Sequence, residues 1–177
     1  MIKKSAIALA CAASLFTAAS TAQASTYIGG SFSVLNYEEP LLDDVTVAAL
    51  NVRAGVNFND YLSGEFRLGY GTKGDRISVM GAGVDFDLDS YFGAYVRAGF
   101  GSSMAVNPYA VVGYNRIRVS AAVSGTKLSV KDHNFGYGVG FDVPLADDMV
   151  FNVEYMELHD ENNFNLGGIS VGVVKNF

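Results

Sequence analysis

Gly167-Gly168-Ile169-Ser170-Val171-Gly172-Val173-Val174-Lys175-Asn176-Phe177 is the stretch on which the reading of this chain turns. Ile169, Val171 and Val173 alternate with Ser170, Gly172 and Val174, and the last residue is aromatic. A period of two marks a strand with two unlike faces. An unpaired strand edge invites aggregation, so this strand is expected to pair with the first one and close a barrel.

Working outward, the same alternation recurs in seven earlier stretches. Ile28, Phe32 and Val34 oppose Gly29, Ser31 and Ser33 in Tyr27 to Leu35. In Val47 to Phe58, Ala48, Leu50, Val52, Ala54, Val56 and Phe58 oppose Asn51, Arg53, Gly55 and Asn57. Tyr61 to Gly71, Tyr91 to Phe100, Pro108 to Asn115, His133 to Val143 and Met149 to Met156 complete the set, and Pro108 to Asn115 is the least clean because Val111 spoils the contrast. Between them, Asn36–Thr46, Thr72–Asp89, Arg116–Asp132 and Glu157–Asn165 read as loops, with the ends of Thr72–Asp89 able to extend the flanking strands. Asn59-Asp60, Gly101–Asn107 and Pro144–Asp148 read as turns. The expected fold is all-β: an eight-stranded antiparallel up-and-down transmembrane barrel, with long loops at one end and short turns at the other.

The N-terminus stands apart from that pattern. Met1-Ile2-Lys3-Lys4 is basic, Ile7 to Ala19 is apolar, and Ala22-Gln23-Ala24 is a small-residue cleavage site. This is the pattern of a secretory signal peptide over residues 1–24; the apolar run is shorter than the ~20 residues a membrane helix needs. Residues 25–177 then form one domain. The single cysteine, Cys11, leaves with the signal, so no disulfide framework is expected. The chain carries 12 Lys and Arg against 18 Asp and Glu, and losing Lys3 and Lys4 makes it more acidic still, which argues against nucleic acid as a partner.

Periodicity does not say which face points inward, since a soluble ligand-binding barrel alternates too. Three features decide. The polar face carries many glycines and no lysine, unlike a surface facing bulk water. Its charges, Arg53, Arg67 and Arg97 against Glu65, Asp142 and Glu154, sum to zero, as an enclosed network requires. The apolar face carries two sets of aromatic residues. Phe58, Phe100, Phe141, Phe151 and Phe177 fall at the turn ends of strands, and Tyr70, Phe92, Phe135 and Tyr155 at the loop ends. Two aromatic belts bounding an apolar band match the two interfaces of a bilayer. The polar face is therefore expected to line a plugged lumen.

Asn107-Pro108-Tyr109-Ala110-Val111-Val112-Gly113-Tyr114 is similar to the Pro-Tyr strand of small Gram-negative outer-membrane barrels of the OmpA/OmpX-like superfamily. Phe135-Gly136-Tyr137-Gly138-Val139-Gly140-Phe141, running through Ala146-Asp147-Asp148 to Val153-Glu154-Tyr155, resembles it too. The resemblance covers nearly all of residues 25–177. It implies residence in the bacterial outer membrane, contact with outer-membrane lipid and lipopolysaccharide, and no cofactor. It also implies that Ile169, Val171, Val173 and Phe177 form a C-terminal signal read by the barrel-assembly machinery. Lys175 departs from the family, which more often has an apolar or aromatic residue there. Such barrels serve as adhesins, envelope stabilisers, small channels and enzymes, so the resemblance fixes architecture better than activity.

Catalysis on this architecture, as in lipid A deacylases, needs a serine near a histidine near an orienting acid. The two histidines, His133 and His159, have no serine two positions on, and Ser129 lies four residues before His133. No catalytic residue and no metal site is expected. Glu38, Glu39, Asp43 and Asp44 in the first loop and Glu157, Asp160 and Glu161 in the last would adjoin as an acidic patch. Arg116, Arg118, Lys127 and Lys131 in the third loop could meet lipopolysaccharide phosphates. The expected function is a non-catalytic envelope barrel with surface loops for structure or attachment, a host or surface ligand among the candidate partners; a small-solute channel and, less favoured, a lipid A-modifying enzyme are the alternatives.

Overall fold

A computed structural model describes residues 25–38, 45–79, 82–100, 105–123, 126–161 and 164–177. The described residues are strand almost throughout. They form β1 (Thr26–Glu38), β2 (Val45–Asn57), β3 (Leu62–Lys73), β4 (Asp75–Val79), β5 (Ala82–Gly99), β6 (Asn107–Val123), β7 (Thr126–Ala146), β8 (Met149–Glu161) and β9 (Phe164–Asn176). Residues 1–24, where the signal peptide is expected, and Glu39, Asp43 and Asp44 of the first loop lie outside the described residues.

Nine segments make eight barrel strands. β3 and β4 both pair with β5 and are parted only by Gly74, where a Cβ would strike the Phe86 carbonyl and Asp87. Every pairing is antiparallel, and β9 pairs with β1 along its whole length, from Tyr27 opposite Asn176 to Glu38 opposite Asn165. With β3 on β5, the sheet has no free edge through its middle and is a closed up-and-down barrel. The closure expected of the last strand is there.

The loops are where the sequence reading needs correction. Most of Thr72–Asp89 is strand, in β4 and the first half of β5, and the described residues of Arg116–Asp132 are all strand. Glu157–Asn165 likewise continues β8 and begins β9, and β7 runs on through Pro144 and Leu145 to Ala146. The physical reason is cross-strand support. Much of this sequence keeps a period of two, with Phe86 and Leu88 between Asp85, Asp87 and Asp89, and Ile117 and Val119 between Arg116, Arg118 and Ser120, and each stretch pairs with a neighbour that has the same length to spare. Crossing a bilayer takes ~9–11 tilted residues, whereas β5, β6 and β7 have 18, 17 and 21. The surplus stands beyond the membrane as a four-stranded tongue of β4 to β7. β7 pairs with β8 only as far as Tyr137 opposite Glu157, so the backbone of Thr126–Gly136 is strand-paired on one side alone among the described residues.

The outward face is apolar across the barrel wall. Leu50, Val52, Leu68, Val96, Val112, Val139, Ile169 and Val171 all lie exposed on it. A continuous apolar surface of this extent does not persist in water. At the turn end, Asp147 and Asp148 form the tight β7–β8 turn, and the Asn59 side chain accepts from the Tyr61 and Leu62 amides, each at 2.9 Å. Lys175 is satisfied there by Asp148 at 3.2 Å, which accounts for a lysine near the end of β9.

Inside, four glycines have a shared purpose. Tyr27 lies opposite Gly55, Tyr91 opposite Gly69, Tyr95 opposite Gly113 and Tyr109 opposite Gly140. In each pair a Cβ on the glycine would run into the tyrosine. The rings fold across the neighbouring strand and fill a lumen too narrow for two facing side chains. Gly69→Val is expected to lower stability by about 1–3 kcal/mol through overpacking. Outward-facing Gly30, whose nearest obstacle is the Asn51 carbonyl at 3.8 Å, should accept alanine within about 0.5 kcal/mol. Urea titrations of the two variants in lipid vesicles check the difference.

Candidate functional site

The six charged residues singled out in the sequence all project inward, and they fall into two groups. Arg53 (β2), Glu65 and Arg67 (β3) and Glu154 (β8) form the inner group, each side chain no more than 3% exposed. Arg67 is its hub. Its Nε donates to Glu65, Nη1 donates to Glu154 Oε1, and Nη2 donates to Glu154 Oε2 at 2.8 Å. Arg53 Nη1 stands 3.9 Å from Glu65 and 3.8 Å from Glu154, close enough for charge attraction without a hydrogen bond. Two cations and two anions cancel, as burial demands.

Arg97 (β5) and Asp142 (β7) form the second group, nearer the turn end, ion-paired and 15% and 14% exposed. Tyr109 and Asn152 join the groups. The Tyr109 hydroxyl donates to Glu154 at 2.9 Å while its ring lies 3.6 Å beneath the Arg97 guanidinium. Asn152 donates to the Tyr109 hydroxyl at 2.6 Å and to Asp142 at 2.8 Å. Tyr27 donates to Glu65 at 2.8 Å. The sequence reading missed these three connectors. Their signal was available in the pattern, since each has the parity of an inward residue on its strand.

Above the charges the lumen turns apolar. Leu35, Val45, Val47, Phe86, Leu88, Ile117, Leu158 and Leu166 pack into one buried cluster, with Tyr37 against Phe86 at 4.6 Å between ring centroids. A layer of amides separates oil from charge: Asn51 donates to Ser33 at 2.6 Å and accepts from Tyr91 at 2.8 Å. The void between these layers is about 10 Å³, room for about one water. The lumen was expected to be polar along its length. It is polar in the turn-end half and mixed at the loop end, where the aliphatic side chains of β1, β2, β8 and β9 face inward beside the buried Ser120, Asn134 and His159.

The aromatic residues assigned to belts lie in the outward phase. Phe58, Phe100, Phe141 and Phe177 are exposed at the turn end and Phe151 is half-buried; Tyr70, Phe92, Phe135 and Tyr155 are exposed on the side of the tongue. Ile169, Val171 and Val173 also face outward, and the Phe177 amide donates to the Thr26 carbonyl at 2.8 Å. The basic residues expected in a loop are on strands instead: Arg118 lies opposite Lys131, and Arg116 opposite His133. His133 stacks on Tyr114 at 6.1 Å, and His159 meets Asn134 at 3.2 Å and Asp132 at 3.8 Å. The described residues hold no group of three or more potential metal ligands.

The model of the family described as "Outer membrane protein beta-barrel domain" matches residues 5–177. No curated protein sequence matches the chain. Among solved structures, Ail, the attachment invasion locus protein of Yersinia pestis, in complex with the heparin analogue sucrose octasulfate, is similar with a TM-score of 0.66 at 16% identity, over 87% of this chain and 99% of that one. The neisserial surface protein A, NspA, is similar at 0.66 and 19% identity, over 87% and 99%. The N-terminal barrel of Pseudomonas aeruginosa OprF follows at 0.54 and 11%, over 84% and 97%. At these identities the likeness is one of fold.

Proposed function

The chain belongs to the outer membrane protein β-barrel family and resides in the bacterial outer membrane, and from that premise we propose that it is a closed, non-conducting envelope barrel that presents its tongue for surface attachment. The double seal of the lumen carries this reading. A solute entering from the turn end meets the Arg53–Glu65–Arg67–Glu154 cluster, and beyond it the aliphatic cluster of Leu158 and Leu166. Opening the first by swinging Arg67 aside leaves the second shut. Planar-bilayer recording of the refolded protein should be silent; steady unitary current steps would overturn the seal and favour the channel reading.

Attachment is supported by the strand surplus. β7 offers a row of backbone groups beyond Tyr137, next to exposed Leu128 and Val130, and such an edge can add an extended segment of a partner. Ail, similar in fold, is seen with a heparin analogue. Lipid contact is supported by the basic strip. Like charges directly opposite each other destabilise a sheet, and Arg118 facing Lys131 just beyond Tyr114 and Phe135 is relieved when a lipopolysaccharide phosphate lies between them. Arg118→Ala with Lys131→Ala should reduce the lipopolysaccharide that copurifies with the barrel, as read by lipid analysis. Phe177, exposed beside the first strand, would serve as the address for assembly; its deletion should reduce insertion in cells more than it reduces the stability of barrel refolded in vitro.

A further inference from the structure

The described residues do not fill the turn end of the barrel. A cavity of about 330 Å³ opens there, of the size at which ligand sites begin, and it faces the periplasm because short turns lie on that side. Its inner wall is the Arg97–Asp142 pair. These two side chains keep 15% and 14% exposure while the charges deeper in the lumen keep 3% or less, so the pair opens into the cavity and the inner cluster does not. Asn107 and Asn176 line the sides, and Tyr61, 62% exposed on the β2–β3 turn, forms the lip.

The chemistry of this wall selects a ligand class. Arg97 is neutralised by Asp142, and the other side-chain charge around the cavity is Asp60 at the rim. Ser25 also lines the cavity, and as the first residue left by the expected cleavage it carries an α-ammonium that offsets Asp60, so the wall as a whole is close to neutral and gives an anion no strong net attraction. It is rich instead in groups that both donate and accept. The guanidinium offers five N–H donors and Asp142 accepts, while each asparagine amide does both. The lip adds an aromatic face with a polar tip. A neutral ligand with alternating hydroxyls, an amide and one apolar face matches all of these.

We propose that the periplasmic mouth binds an N-acetylated amino sugar, as carried at the end of a glycan strand. Arg97 and Asp142 hydrogen-bond the ring hydroxyls, the asparagines meet the acetamido group, and Tyr61 covers the apolar face of the sugar. This site is at the opposite end from the tongue and stands whether or not the tongue attaches to anything.

The test is titration of the full barrel in phospholipid nanodiscs with N,N′-diacetylchitobiose, followed by amide chemical shifts. Saturable shifts are expected at Asn107, Asn176 and Gly99. Tyr61→Ala, on an exposed turn, should weaken binding about fivefold, and Arg97→Lys, which keeps the ion pair with Asp142, about tenfold or more. Thermal unfolding of each variant verifies that it is folded. Absence of saturable shifts, shifts that both variants leave unchanged, or equal affinity for cellobiose, which lacks the acetamido groups, would each overturn the proposal.

Discussion

Glu154→Ala is expected to lower the unfolding free energy by about 3–5 kcal/mol, the cost of leaving a buried partner unpaired. Glu154 accepts from two nitrogens of Arg67 and from the Tyr109 hydroxyl, and it attracts Arg53 from 3.8 Å. Without it the inner cluster holds two guanidinium groups and one carboxylate, sealed from water on one side by Leu158 and Leu166. The charge cannot be shed, because arginine does not deprotonate in proteins. Removing a cation as well should restore much of the loss. Arg67→Ala with Glu154→Ala leaves Arg53 and Glu65 as a neutral pair, so the double variant is expected to be more stable than the sum of the single losses implies. Urea titrations of the four proteins, followed by circular dichroism in lipid vesicles, give the coupling. An additive result would mean that Glu154 acts through packing and that the charges are not a network.

That cluster was legible in the sequence because the inward phase of each strand could be counted from its alternation. Arg53, Glu65, Arg67 and Glu154 share the phase of Asn51, Gly55, Gly69 and Asn152, and a face with arginine but no lysine suggested enclosure. What could not be counted was height. Parity tells which way a side chain points, and strand tilt and stagger decide which side chains meet. So Arg97 and Asp142 were pooled with four residues from which they are separated by Tyr109 and Asn152. The same limit hid the apolar seal. Leu35, Val45 and Val47 read from sequence as strand ends or loop, because alternation fades there, although they have the inward parity. The tongue was missed for a related reason. Ile117, Val119 and Ala121 alternate with Arg116, Arg118 and Ser120 and face the core, but the charges on the outward face hid that period, and the pairing of Arg116–Val123 with Thr126–His133 is held by backbone bonds that leave no mark on composition.

Val52 and Arg53 are neighbours in β2 with opposite fates, and exchanging their chemistries is expected to be costly at both positions for different reasons. Val52 is exposed on the outward face between Gly30 and Leu68. Val52→Arg puts a cation into hydrocarbon, at about 2–4 kcal/mol near the midplane and about 0–1 near an interface. Arg53→Val leaves Arg67 alone between two carboxylates, Glu65 and Glu154, which is the buried imbalance of the first prediction with the sign reversed. The two losses respond differently to the surroundings. The cost of Val52→Arg depends on depth, so it should shrink in thinner bilayers, where the guanidinium reaches headgroups by snorkelling. The cost of Arg53→Val arises inside the lumen and should be the same in every lipid. Measuring both variants by urea titration in vesicles of two acyl-chain lengths separates the faces directly. Were the apolar face turned to water, Val52→Arg would change stability by no more than about 0.5 kcal/mol and lipid thickness would have no hold on it.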